Sequence, residues 1–148
     1  MPHLLLPPFV WLYCVAGMLL VHTLLPVAHW LPAPWRLPGL LLLRAGLAMA
    51  QWHARLFRRL GTNINTFGTP DQLTTQGLFR RTRNPMYLGM LLALCGVALT
   101  LGALSPLLGP LVFLLLAQHW YIPAEERAMS ARFGEAYHDY QRRVPRWW

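Results

Sequence analysis

The sequence contains no lysine: all 13 basic residues are arginines, set against five acidic ones for a formal charge of +8. Charged residues make up only 12% of the 148 positions, about half the roughly 25% usual for soluble domains, which excludes an ordinary water-soluble globule. There are two cysteines, Cys14 and Cys95, far apart within apolar stretches, so neither a disulfide framework nor a Cys-based zinc site is expected. G-x-G-x-x-G, the P-loop, H-E-x-x-H and G-x-S-x-G are also missing. Dinucleotide, phosphate, zinc-protease and hydrolase chemistry therefore have no motif to stand on. The six histidines (His3, His22, His29, His53, His119 and His138) lack close metal-ligand spacing, so each reads as structural and no metal is expected. His119 stands out only because it precedes Glu126 by seven residues.

What the chain has in quantity is apolar surface, at 55% of its residues. Its length fits one domain on a prior of roughly 150 residues per domain. A bilayer core of about 30 Å needs roughly 20 mostly apolar residues per helix, and four stretches approach that length. They run from about Pro8 to Leu25, Leu37 to Leu56, Met86 to Leu104 and Pro106 to Ile122. Trp30 and Trp35, in the Pro-rich turn after the first, suit a membrane interface. Gly-Ala-Leu-Ser-Pro connects the last two, which should form an antiparallel hairpin. Without a basic region or a clear cleavage site, the first stretch reads as a retained helix rather than a secretory signal. The expected fold is therefore all-α, an integral membrane bundle of about four transmembrane helices with a cytoplasmic loop and a C-terminal amphipathic helix.

The arginines set the orientation. Arg58, Arg59, Arg80, Arg81 and Arg83 follow the second span, and Arg127, Arg132, Arg142, Arg143 and Arg146 follow the fourth, whereas the opposite connections hold only Arg36. The positive-inside rule then puts both termini in the cytoplasm, and the localisation expected is a bacterial inner membrane. Hydropathy makes lipid, not nucleic acid, the partner of this positive charge. Arg44 lies inside a span, where it would snorkel or pair within the bundle. The polar stretch from Gly61 to Asn84 is long enough to act as a lid. In the tail, Phe133, Tyr137, Tyr140 and Val144 fall along one face of a helix, with Asp139 and Arg143 as an i,i+4 pair. That helix would either anchor the tail to headgroups or close a site from below.

Two constellations remain. In Arg83-Asn84-Pro85-Met86-Tyr87-Leu88-Gly89, Pro85 is pre-organised for a first helical turn and Asn84 can cap it. The exposed N–H groups of such a start can hold a carboxylate or phosphate, while Gly89, Ala93 and Gly96 leave a small-residue surface for a neighbouring helix. The alternative is a plain helix start with a packing groove. In Pro123-Ala124-Glu125-Glu126-Arg127, two glutamates leave the membrane at a depth where carboxylates need partners, such as Arg83, Arg127 or a cationic ligand. A solvated pair at a span end is the alternative. The hairpin brings both segments to one membrane face, where they can line one pocket.

Thr74-x-x-Gly77-Leu78-Phe79-Arg80, then Arg83-Asn84-Pro85-x-Tyr87-x-Gly89, an apolar hairpin, Glu125-Glu126, and Phe133-Gly134-x-x-Tyr137-x-x-Tyr140 with Val144-Pro145-Arg146 resemble the isoprenylcysteine carboxyl methyltransferase and phospholipid methyltransferase superfamily. The likeness covers about residues 61 to 148. It implies an integral membrane enzyme that uses S-adenosylmethionine in a cytoplasmic-side pocket opening laterally to lipid. The family pattern assigns cofactor contacts to Arg83, Asn84, Pro85, Tyr87, Gly89, Glu125 and Glu126, with Tyr137, Tyr140 and tail arginines closing the pocket and His119 carried alongside. The eukaryotic carboxyl methyltransferases usually have His where this chain has Asn84, so the resemblance transfers an amide or backbone contact there and no imidazole role.

On this reading Glu126 takes the cofactor ammonium with Glu125 beside it, Arg83 or a tail arginine takes its carboxylate, and Tyr87 packs on the adenosine or holds the acceptor. Arg83, Tyr87 and Glu126 are the catalytic candidates. Methyl transfer needs alignment and exclusion of water, so no nucleophile is assigned. A lipophilic or lipidated acceptor would present a carboxylate, thiol or amine; an amine would need a glutamate or His119 to keep it neutral. Competing readings are an NADPH-dependent membrane reductase of related architecture and a non-enzymatic scaffold gripping anionic lipid.

Overall fold

Prolines mark where the helices begin. Pro7 and Pro8 open α1 (Pro7–Leu24), Pro38 lies in the first turn of α2 (Leu37–Arg59), and Pro85 opens α3 (Pro85–Leu101). At these positions a missing N–H costs nothing, because the first turn has no partner for it. α3 ends where Gly102 adopts the left-handed conformation (φ 68°) and returns its N–H to the Ala98 carbonyl. A 3-10 turn, Ser105–Leu107, then leads into α4 (Leu108–Leu116). This computed structural model describes residues 5–59 and 72–148, and among them the secondary structure is helical apart from an isolated bridge between His29 and Ala103. The first part of the expected lid, residues 61–71, lies outside the described residues.

The fourth element does not stop at Ile122. It continues through a π-helical turn, Ala117–Tyr121, into α5 (Ile122–Phe133), so one helical run extends from Ser105 to Phe133. The wide turn sits just before Pro123, whose ring and missing N–H would conflict with a regular α-helical ladder. Gly134, at φ 50° and ψ −126°, then breaks the chain direction before α6 (Glu135–Arg143), a conformation open to glycine because it has no Cβ. The tail pattern is thus split by a bend: Phe133 ends α5, Tyr137 and Tyr140 belong to α6, and Val144 follows it. Its apolar face turns inward, where Tyr137, Tyr140 and Val144 pack with Leu73, Met129 and Phe133. Asp139 pairs with Arg142 rather than Arg143, which instead reaches the Asp139 carbonyl.

Two runs are long and apolar enough to cross a membrane, Pro7–Leu24 and Ser105–Phe133. α3 is apolar but has 17 residues, and α2, at 23 residues, is interrupted by Arg44, Gln51 and Arg55. α2 and α3 are antiparallel and joined along a glycine seam. A Cβ on Gly46 would stand 2.5 Å from the Gly89 carbonyl oxygen, and one on Gly39 would stand 2.7 Å from that of Gly96. Both glycine pairs are spaced by seven residues, two turns of helix, so each pair returns to the same face. α1 packs against α4, with Met18 filling the place a side chain on Gly109 would need, and Trp11 donates to the Met90 carbonyl of α3 at 2.9 Å. Val10, Cys14, Met18, Gly109, Val112 and Leu116 help line an apolar groove of about 410 Å³ between α1 and α4.

Candidate active site

The tight connection between α3 and α4 folds the hairpin back, placing the start of α3 beside the start of α5. Polar contacts between described residues join them. Tyr87 donates its hydroxyl to Glu125 Oε1 at 2.7 Å, and the Arg83 guanidinium lies 3.1 Å from Glu126 Oε1. The Tyr87 ring is buried and stacks on Tyr121, with centroids 6.1 Å apart and planes 12° from parallel. Tyr121 points into the protein from the π-helical turn and donates to the Leu5 carbonyl at 2.7 Å. The turn that relieves Pro123 thus also sets an aromatic wall behind the glutamates.

The end of the chain completes the cluster. Arg146 grips Glu126 with two N–H groups, Nε to Oε1 at 3.2 Å and Nη2 to Oε2 at 2.5 Å, the forked geometry in which a guanidinium binds a carboxylate most strongly. Its own carbonyl receives two side-chain donors, Thr82 Oγ1 at 3.1 Å and Asn84 Nδ2 at 2.9 Å. Alongside, the Arg83 N–H donates to the Pro145 carbonyl at 3.0 Å, Trp147 donates to Gln118 Oε1 at 2.8 Å, and Arg81 lies over the Trp148 ring. The tail is therefore strapped to residues 81–84 and to the π-helical turn.

Asn84 holds the N-cap position, yet its side chain does not cap α3: it is committed to Arg146. The expected cap is replaced by a longer-range bond, which the neighbouring Pro85 tolerates by having no N–H to satisfy. Glu126 is held between two guanidiniums, with side-chain exposures of 16% for the glutamate, 13% for Arg83 and 29% for Arg146. Arg83 Nε and Nη1 are buried without a hydrogen-bond acceptor among the described residues. The Nη1 distance to Glu126 is short, but its direction is wrong for a hydrogen bond, so that attraction is coulombic. The guanidinium is thus paired with Glu126 and hydrogen-bonded to Tyr137, and its Nε is left facing no acceptor among the described residues.

Tyr137 and Tyr140 lie under this cluster. Burial raises the Tyr137 hydroxyl above the ordinary tyrosine range, and the Glu126 charge adds to that, while Arg83 acts in the opposite sense. Burial likewise raises Tyr140, reinforced by Tyr137. Tyr140 donates to the Phe79 carbonyl at 2.7 Å.

Arg83, Asn84, Pro85, Tyr87, Glu125, Glu126, Tyr137 and Tyr140 are brought together at one end of the bundle. Gly89 and His119 are placed elsewhere. Gly89 faces the α2 seam, where a Cβ would meet the Gly46 carbonyl oxygen at 2.7 Å and the Ala50 nitrogen at 2.8 Å, so its small size serves helix packing. His119 is exposed on the π-helical turn, and no hydrogen bond or ion pair joins it to either glutamate. Thr82, Gln118 and Tyr121 carry no local sequence signal for their roles. Among the described residues, no group of three His, Cys, Asp or Glu side chains is placed to hold a metal.

A family model for phospholipid methyltransferases matches residues 35–136, from just before α2 into the first turn of α6. The chain belongs to the phospholipid methyltransferase family. The matched stretch includes α2, outside the local motifs, and stops before Tyr137, so the tail's part in the site rests on the contacts described above. An uncharacterised protein of Haemophilus influenzae is 37% identical over 62 residues, 42% of this chain and 98% of that protein. Methanethiol S-methyltransferase 2 of Bradyrhizobium diazoefficiens is 41% identical over 88 residues, 57% of this chain. That match covers 30% of the larger protein's length. Family and relative together support a membrane methyltransferase.

Proposed function

We propose that this chain transfers a methyl group from S-adenosylmethionine to a lipophilic acceptor at the cytoplasmic face of a membrane. The observation that carries the reading is the convergence of Arg83, Tyr87, Glu125, Glu126 and Arg146 where α3 and α5 begin. The donor set fits this cofactor, which brings an ammonium, a sulfonium, a carboxylate and an adenine. The Arg83 guanidinium suits the carboxylate, the stacked Tyr87 and Tyr121 suit the adenine, and carboxylates suit the cations. When bound, the cofactor supplies an electrophilic methyl carbon, which bonds to the acceptor heteroatom as its bond to sulfur breaks and the electron pair stays on sulfur.

Both oxygens of Glu126 already receive a guanidinium, so a ligand ammonium would have to displace an arginine to reach it. Glu125, whose Oε1 accepts from the Tyr87 hydroxyl, stands beside it, and Glu126 holds Arg83 and Arg146 together. The protein's contribution is binding, orientation and exclusion of water, the last from Tyr121, Trp147 and the strapped tail. The acceptor enters from lipid along the apolar helix surfaces and presents a carboxylate, thiol or amine to the methyl group.

Equilibrium binding of S-adenosylmethionine to the protein in nanodiscs tests the assignment. Glu126→Gln and Tyr87→Ala should each weaken binding by about tenfold or more, since each removes a buried hydrogen-bonded contact. Unchanged affinity in both would remove the pocket from this place. Thermal stabilisation by NADPH and not by S-adenosylmethionine would favour the reductase reading.

A further inference from the structure

The face of α2 that packs on α3 carries Gly39, Gly46, Ala50 and His53, all buried. At 100° per residue, Arg44, Ala48 and Gln51 fall on the opposite side of the helix. All three are exposed, and among the described residues neither Arg44 nor Gln51 makes a hydrogen bond or an ion pair. The seam fixes their depth. Gly39 meets Gly96 and Thr100, and Gly46 meets Gly89 and Ala93, so Arg44 stands level with about residue 93, the middle of α3. At about 1.5 Å per residue it lies about 12 Å from either end of that helix, beyond the reach of an arginine stem towards headgroups. A guanidinium facing hydrocarbon at that depth is costly, whereas Gln51, two turns on and level with about residue 86, sits near the end of α3.

We infer that this outer face of α2 is a docking surface for a transmembrane helix from outside this chain that carries an aspartate or glutamate near mid-depth. Charge complementarity selects that occupant over the others. A second copy offers no carboxylate, because the five acidic residues are Asp71, Glu125, Glu126, Glu135 and Asp139, none in α1 to α4. Side by side in the same orientation, two copies would set Arg44 against Arg44. Lipid phosphates are too far along the membrane normal. Ala48 lies between Arg44 and Gln51 on the same side, where a small side chain lets a helix approach closely enough for both to hydrogen-bond across. The inference rests on α3 crossing the bilayer and is independent of methyl transfer.

The test uses the full chain in nanodiscs with synthetic polyleucine transmembrane peptides whose central residue is Glu, Gln or Leu, read by fluorescence transfer. The Glu peptide should associate about tenfold more tightly than the Leu peptide, with Gln between them. Arg44→Leu should abolish the preference for Glu while leaving the thermal midpoint in detergent as in the parent protein or above it, which controls for folding. Equal association of the three peptides, or a preference that survives Arg44→Leu, overturns the proposal. So does a label on Ala48→Cys that reports water rather than hydrocarbon, or one that cross-links efficiently to its own copy.

Discussion

The α2–α3 seam and the cluster at the start of α5 are both places where elements come unusually close, but by opposite means. In the seam, side chains are absent: Gly39, Gly46, Gly89 and Gly96 let backbone meet backbone. In the cluster, long side chains converge, and charge holds them there: Arg83, Arg146 and Glu126. The first contact is sensitive to volume and indifferent to charge, the second the reverse. Apolar packing between helices gains little in lipid unless backbones approach closely, which is what the seam achieves and the charged cluster does not need.

The sharpest way to break the contrast is to add volume to the seam. Gly46→Leu should destabilise by about 3 kcal/mol or more, because nothing opposite it but backbone can move aside. Thermal melting in detergent reads this, and a small shift would mean the seam can slide. A change at the charged end should instead act on ligand choice. Arg146→Gln should lower the preference for S-adenosylmethionine over its decarboxylated analogue by about tenfold, the worth of a hydrogen bond to a charged group. If both ligands lose affinity equally, Arg146 holds the tail and does not read the ligand.

The smallest expected effect lies between the two regions, at Tyr140. Tyr140→Phe removes one hydrogen bond to the Phe79 carbonyl and should cost about 1 kcal/mol. The folded-state value of Tyr140 is raised, so the stability it contributes is fully present below the unfolded value of about 10 and is lost as pH rises towards the folded one. Ultraviolet titration of tyrosine should therefore show a late-ionising residue that disappears in Tyr140→Phe.

Much of this contrast was legible in the sequence. Apolar runs bounded by prolines locate α1, α2 and α3, and a connection as short as Gly-Ala-Leu-Ser-Pro leaves α4 no choice but to return along α3. That alone brings Arg83 and Tyr87 to Glu125 and Glu126. What escaped local reading depends on partners distant in the chain. Asn84 looks like a cap because capping is local, whereas the carbonyl it serves is 62 residues away. Gly89 was legible as part of a small-residue surface with Ala93 and Gly96, but that its neighbour in space would be Gly46 was not. The π-helical turn at Ala117–Tyr121 has no composition of its own. Proline at 123 suggested an end to the fourth span, yet the chain absorbs it in one wide turn and stays helical to Phe133.

The end of the bundle away from the arginine cluster is tied by main-chain bonds: Trp30 donates to the Gly102 carbonyl at 3.1 Å and Leu104 to the Val27 carbonyl at 3.0 Å. These join the loop after α1 to the loop before α4 without using a side chain, so they survive most substitutions. Mechanically the result is a clothes-peg whose spring is at the far end. At the jaws the chain just before α1 is tied to the fourth helical run by the Tyr121 hydroxyl on the Leu5 carbonyl, so a substitution that frees the jaws leaves the hinge intact.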